Sequence, residues 1–143
     1  MTYDRKAMEA ELRRDEGEVL HAYKDSEGYL TLGVGRLIDK RRGGGISLAE
    51  SAVLLGNDMD AVEAELDLKL PWWRTLDAVR QRVLMNMAFN LGVPGLLKFH
   101  STLKSVRESR WEAAAAGMES SLWRRQVGAR AHRLEAMMRT GNV

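Results

Sequence analysis

Asp15-Glu16-Gly17, followed by Tyr23-Lys24-Asp25-Ser26-Glu27-Gly28-Tyr29-Leu30-Thr31-Leu32-Gly33-Val34-Gly35, is the stretch on which the fold turns. Gly17, Gly28, Gly33 and Gly35 punctuate it. Tyr29, Leu30, Thr31, Leu32 and Val34 favour extended chain, so short antiparallel strands joined by tight turns are expected. Upstream, Tyr3 to Arg14 holds no Gly or Pro and sets Tyr3, Ala7, Ala10 and Leu12 roughly along one side. That pattern predicts a helix running up to the glycines. Downstream, Lys40-Arg41-Arg42-Gly43-Gly44-Gly45 reads as a flexible loop, because three consecutive glycines cost too much entropy inside a helix or strand.

Ser47-Leu48-Ala49-Glu50 has the form of a capping box, in which Ser and Glu each satisfy a free backbone donor. Ala52, Leu55, Met59, Val62 and Leu66 follow at spacings of three and four, which predicts one buried helical face as far as Pro71. A helix of about 20 residues is about 30 Å long and could bridge two lobes. The remainder reads as helical. Thr75 is a candidate cap for a helix with Leu76, Val79, Val83 and Met87 inward, stopped by Gly92. Ser109-Arg110-Trp111-Glu112 is a second candidate capping box, and Ala129 to Thr140 reads as a last helix closed by Gly141. The expected class is α+β. Residues about 15–46 form a small β lobe, about 47–70 a connecting helix, and 1–14 with 71–143 a larger helical lobe.

The 143 residues suffice for one domain with an ordinary core. Cys is absent, which excludes a disulfide framework and a thiolate metal site. His21, His100 and His132 have no metal spacing, and no metal is expected. The first residues are too charged for a secretory signal, and no run of eighteen apolar residues follows. The expectation is a protein made soluble that stays in its compartment unless something releases it. Net charge is −3 over residues 1–95 and +5 over 96–143. The basic third suits a polyanion, nucleic acid or anionic cell wall, and reads equally as a solvated helical surface.

Glu16 stands where a helix meets the Gly-rich segment, and a hairpin could fold Asp25 and Thr31 back across a cleft from it. Glycosidases need such a pair of carboxyls, one protonated to donate to the leaving oxygen and one ionised. A half-buried Glu at a helix end, with a loop Asp in a polar setting, would separate their roles. By spacing alone the two read equally as caps or solvated charges, and the glycines as ordinary turn formers.

The two quoted stretches closely resemble the active-site segment of the phage lysozymes, including the T-even kind. The resemblance continues through Leu76-Asp77-Ala78-Val79-Arg80, Asn86-Met87-Ala88-Phe89-Asn90, Arg110-Trp111 and Arg139-Thr140-Gly141, covering about residues 8–141. It implies a lysozyme-like fold and a muramidase that cuts the β-1,4 bond between N-acetylmuramic acid and N-acetylglucosamine. Glu16 then matches the general acid, Asp25 the second carboxylate and Thr31 the residue that positions water. Inversion is implied, for which a carboxyl separation of roughly 6.5–9.5 Å would suit. Leu37, Phe89 and Thr102 match positions lining the sugar cleft, with core packing an equal reading for Phe89. Arg130 matches a partner of the catalytic Glu, Arg133 a partner of Asp15, and Asn86 a position near the active site. The partners implied are peptidoglycan glycan strands, with no cofactor, no nucleic acid and no stable membrane association. A monomeric endolysin is expected, made in the host cytoplasm and acting in the periplasm or wall after a separate pore protein releases it.

Two positions depart from the pattern. Arg36 stands where the family often has His, with Asp58 as its expected partner. Gly117 stands where the T-even kind has a sugar-contacting Asn, and the loop after Lys40 is shorter. Two other readings compete. A non-catalytic wall- or nucleic-acid-binding module could use the basic third, but no groove-entering motif is present. Trp72, Trp73, Trp111 and Trp123 fit core packing better than stacking on bases. A transglycosylase would use one Glu alone, and Asp25 with Thr31 argues against it.

Overall fold

A computed structural model of the chain describes residues 3–143. It is α+β, as expected, with helices and one three-stranded antiparallel sheet. Contacts divide it into two units, one ending at Val53 and the other starting at Leu54.

In the first unit, helix α1 (Arg5–Glu16) is capped by Asp4, whose side chain accepts from the Ala7 N–H at 3.1 Å. It runs past the expected end at Arg14, so that Glu16 is its last residue. No residue of α1 is buried, and the apolar side formed by Tyr3 and Leu12 is exposed. Strands β1 (Val19–Lys24), β2 (Leu30–Gly33) and β3 (Arg36–Leu37) follow in sequential antiparallel order. The expectation placed residues 1–14 with the helical lobe; α1 instead groups with the sheet. Two residues, Gly17 and Glu18, link its end to β1, and the Glu16 side chain lies against the turn between β2 and β3. Lys40–Arg42 is one turn of 3-10 helix, not a flexible loop. Asp39 caps it by accepting from the Arg41 N–H at 2.8 Å, and Gly43 closes it in the left-handed conformation.

Helix α2 (Leu48–Lys69) begins at the predicted capping box. The Ser47 N–H donates to Glu50 Oε1 at 2.9 Å and the Glu50 N–H to Ser47 Oγ at 3.1 Å. Glu50 also holds Arg36, with Nη1 2.6 Å from Oε2. The expected Arg36–Asp58 pair is therefore replaced by Arg36–Glu50. Asp58 lies eight residues further along α2, or about 12 Å at the helical rise. The predicted apolar face of α2 is covered only at its far end. Ala52, Leu55 and Met59 are exposed, Val62 is half-buried and Leu66 is fully buried. Spacing shows which residues share a face; the elements that cover that face gather only around the C-terminal turns.

The second unit holds the hydrophobic core, centred on Leu66, Trp73, Leu84, Met87, Met118 and Met138. A 3-10 turn (Pro71–Thr75) leads to α3 (Ala78–Leu91), α4 (Val93–Leu96), α5 (His100–Arg107), α6 (Trp111–Glu119), α7 (Leu122–Val127) and α8 (Ala129–Thr140). Trp73 and Trp123 are buried, and Trp72 and Trp111 pack against the core. Two predicted caps are not used. Asp77 caps α3, accepting from the Arg80 N–H at 3.0 Å, while the Thr75 hydroxyl donates to the Trp72 carbonyl at 2.7 Å. Glu112 does not close a box with Ser109; it pairs with Arg139 at 2.8 Å.

The buried guanidinium of Arg80 joins the start of α3 to the end of α8. Nε donates to the Met138 carbonyl at 2.8 Å and Nη2 to the Arg139 carbonyl at 3.2 Å. Nη1 pairs with Asp77 at 3.0 Å, and Cζ stands 3.8 Å from the Trp111 ring centroid. A cation at these otherwise unpaired carbonyls also meets the negative end of the helix dipole. Gly141 follows, with φ +71°, and a Cβ there would fall 2.8 Å from Arg80 Nη1.

Gly141→Ala should therefore destabilise the fold by at least about 1–2 kcal/mol, the cost of a left-handed backbone alone. Urea unfolding measures it, and a loss under about 0.5 kcal/mol would contradict the close approach. A second expectation concerns pH. The Arg36 guanidinium and the Ser47 donors hold the Glu50 carboxyl at about 2, against 4.5 for the free group. A depressed carboxyl contributes stability above its unfolded value and loses it as pH falls through the folded one. Glu50→Gln should thus lower the melting temperature at neutral pH, and the gap should close as pH falls from about 4.5 to about 2. A gap independent of pH would show that the charge plays no part.

Candidate active site

The β1–β2 hairpin turns on one side chain. Asp25 Oδ1 accepts from the Glu27 and Tyr29 N–H groups, each at 2.9 Å. The Asp25 N–H donates to the Tyr29 carbonyl at 2.9 Å, and the Gly28 N–H to the Asp25 carbonyl at 2.9 Å. Asp readily bonds backbone two residues on, which is why it suits this position. Among the described residues Oδ2 accepts no bond, so a half-buried carboxylate is fixed by one oxygen and offers the other.

Strand register carries the next residues. Tyr23 pairs with Thr31, and Thr31 pairs with Leu37. Paired residues face the same way, so these three form one row across the sheet. Asp25, two residues beyond Tyr23, follows at the same alternation. Thr31 is 5% exposed, and its hydroxyl donates to the Tyr29 carbonyl at 3.1 Å, which leaves its oxygen to accept. Three sequence-predicted residues, Asp25, Thr31 and Leu37, thus come together.

Glu16 lies against the turn between β2 and β3. A Cβ on Gly35 would lie 3.1 Å from Glu16 Oε2, so the carboxylate sits against the backbone of the β2–β3 turn. Gly35 also has φ +68°. Two constraints, a left-handed backbone and a carboxylate alongside, meet at one glycine; the sequence pattern revealed only the turn. Glu16 is exposed, not half-buried as expected, as is nearly all of α1. Asp15 pairs with its neighbour Arg14 at 3.1 Å.

The remaining candidates belong to the second unit. Asn86 and Phe89 on α3, with Arg130 and Arg133 on α8, line one hollow, whose rim also carries Arg74, Arg82 and Glu63. Phe89 is 47% exposed, which rules out the core reading and leaves a ring on the surface. Thr102 lines a different hollow with Phe99 and Trp123. It is buried between α5 and α6, where a Cβ at Gly117 would come within 2.3 Å of its hydroxyl. Among the described residues no group of His, Asp or Glu is placed to hold a metal.

Sequence reading missed Asp39. Its carboxylate is buried and accepts from the Leu30 N–H at 3.0 Å and from Arg41 Nη2 at 2.7 Å. That guanidinium and the backbone donors hold its carboxyl well below the usual range.

A family model described as "Phage lysozyme" matches residues 13–139. The chain is 33% identical to the "Pre-baseplate central spike protein Gp5" of Enterobacteria phage T4, over 92% of this chain and 27% of the spike protein. It is 30% identical to "Probable T4-type lysozyme 1" of Dictyostelium discoideum, over 92% of this chain and 93% of the relative. "Probable T4-type lysozyme 2" of the same organism matches at the same identity and coverage.

The geometry at Gly35 sets an expectation. Gly35→Ala must push the Glu16 carboxylate aside or move the turn. Lytic activity should fall by more than about tenfold while the protein stays folded by circular dichroism, since misplacement of about 1 Å can cost about 10²-fold. Full activity in the variant would show that Glu16 needs no such support.

Proposed function

Because this chain belongs to the phage lysozyme family, we propose that it cuts the β-1,4 bond between N-acetylmuramic acid and N-acetylglucosamine, with Glu16, Asp25 and Thr31 as reacting groups. The coarser activity is the family's own: the chain is a lysozyme, a glycoside hydrolase that degrades peptidoglycan and acts on the cell wall. The observation that most supports the finer reading is the sheet row, with Thr31 beside the Asp25 turn.

The protonated Glu16 donates its proton to the glycosidic oxygen as the bond to the anomeric carbon breaks, and the electron pair leaves with that oxygen. Positive charge develops on the sugar, opposite the ionised Asp25. Thr31 Oγ1, its own proton committed to the Tyr29 carbonyl, accepts a hydrogen bond from the attacking water. The water's second proton passes to Asp25 Oδ2, the oxygen left open by the turn. Water attacks from the face opposite the leaving group, so configuration inverts. Leu37, in the same row as Thr31, would contact sugar.

The cellular role we propose is that of a phage endolysin, acting as a monomer after release by a separate pore protein. No helix among the described residues is long and apolar enough to cross a membrane. Similarity to part of a phage spike protein favours a second reading, a wall-degrading unit carried on the virion. Mass spectrometry of purified virions separates the two, since only a virion-borne protein is found there.

Glu16→Gln and Asp25→Asn should each cost about 10²–10⁴-fold in hydrolysis of purified peptidoglycan. Asn retains an acceptor for the Glu27 and Tyr29 amides, so the hairpin should survive the second change. The products should be reducing muramic acid ends, released first as the α anomer. Anhydro sugars in their place would identify a transglycosylase and refute the role of Asp25.

A further inference from the structure

Residues 39–42 do more than close the sheet. The buried Asp39 accepts from the Leu30 N–H at 3.0 Å, on the first residue of β2. It also binds Arg41 three times, through the backbone N–H at 2.8 Å, Nε at 3.0 Å and Nη2 at 2.7 Å. Arg41 Nη2 also donates to the Gly28 carbonyl at 3.0 Å. The Cζ atoms of Arg41 and Arg42 stand 5.0 and 4.7 Å from the Tyr29 ring centroid, and Arg42 is ion-paired with Glu27. Each residue from Glu27 to Leu30 is therefore held by this segment. Two of them, Glu27 and Tyr29, supply the N–H groups on Asp25 Oδ1.

We propose that Arg41 is a positioning residue for the hydrolytic reaction, fixing the Asp25 carboxylate through the turn from Glu27 to Tyr29, with Asp39 and Arg42 completing the clamp. This rests on the reading of Asp25 as the second carboxylate. Arg41 touches neither sugar nor water in this role. Its guanidinium fork spans Asp39 and Gly28 together, and a lysine ammonium, a single point of charge on a flexible stem, does not reproduce that fork. With the clamp opened, the two amides no longer converge on Oδ1 and the carboxylate swings with the turn.

The test uses Arg41→Gln and Arg41→Lys in the full chain, with Asp25→Asn as reference, on solubilised peptidoglycan glycan. Amide hydrogen exchange is followed by NMR. Arg41→Gln should lower kcat roughly 10–100-fold with KM changed less than about twofold, as misplacement of a reacting group does. The Glu27 and Tyr29 amides should exchange at least about tenfold faster while that of the core residue Met87 is unchanged, the mark of local opening. Arg41→Lys should restore neither kcat nor protection. A loss confined to KM and restored by Lys would overturn the proposal, showing a surface cation that attracts the anionic wall. Unchanged kcat in Arg41→Gln, beside an inactive Asp25→Asn, would overturn the clamp alone. Activity in Asp25→Asn would instead refute the role of Asp25, and the positioning role with it. Should Arg41→Gln fail to fold, Arg42→Gln frees one side of Tyr29, and the same amides and kcat decide.

Discussion

Two backbone N–H groups, those of Glu27 and Tyr29, converge on one oxygen of Asp25, and the first unit is organised around that convergence. It turns the chain from β1 into β2, sets the register that pairs Tyr23 with Thr31, and leaves the second carboxylate oxygen open. A carboxylate is well chosen for both tasks. Its charge strengthens the bonds from the amides, and its second oxygen keeps full accepting capacity. The residue that forms the turn is therefore also the residue proposed to face the sugar.

The two units are held by different forces. In the second, a continuous core of side chains such as Leu66, Leu84 and Met118 is fully buried, and Arg80 ties the helix ends above it. In the first, Thr31 and Asp39 are the only buried side chains among the described residues. Order there comes from hydrogen bonds and ion pairs: Asp25 in its turn, Asp39 with Arg41, Glu50 with Arg36. Elements with few buried apolar contacts open at lower free energy than a packed core. The reacting groups proposed here thus stand on the less strongly packed unit, which must be fixed by polar contacts if the carboxyls are to hold their places.

Features whose causes are local were legible in the sequence. The capping box at Ser47 and the glycine closing the last helix depend on residues within one turn, and both stand where the spacing put them. The proposed catalytic positions rest on the resemblance that this glycine frame carries, since by spacing alone Glu16 and Asp25 read equally as caps or solvated charges. Long-range competition hid the rest. Glu112 has the spacing of a cap but is drawn away by Arg139, which folding brings to it from α8. Arg36 was assigned to Asp58 and is taken by Glu50, a residue already fixed by Ser47. Asp39 gave no sign of its role, since its partner Leu30, like Gly28 whose carbonyl accepts from Arg41, lies on the far side of the sheet turn in sequence. The periodicity of α2 identified a face without telling that only its end is covered.

Arg36 shows what such a replacement does to the response to pH. A histidine paired with a carboxylate has its pKa raised, so its contribution is present at low pH and lost as pH rises through the folded value. Arg36 is also raised, chiefly by its hydrogen bond to Glu50, but from a value already far above neutrality. Its loss on the alkaline side therefore falls far above neutrality. Only the acid side remains, where Glu50 protonates. The pair thus joins β3 to the first turn of α2 across the whole neutral and alkaline range. Arg36 directly follows Gly35, whose backbone lies against the Glu16 carboxylate. An ion pair that does not switch off near neutrality keeps that wall of the site in place wherever Glu16 has to donate its proton.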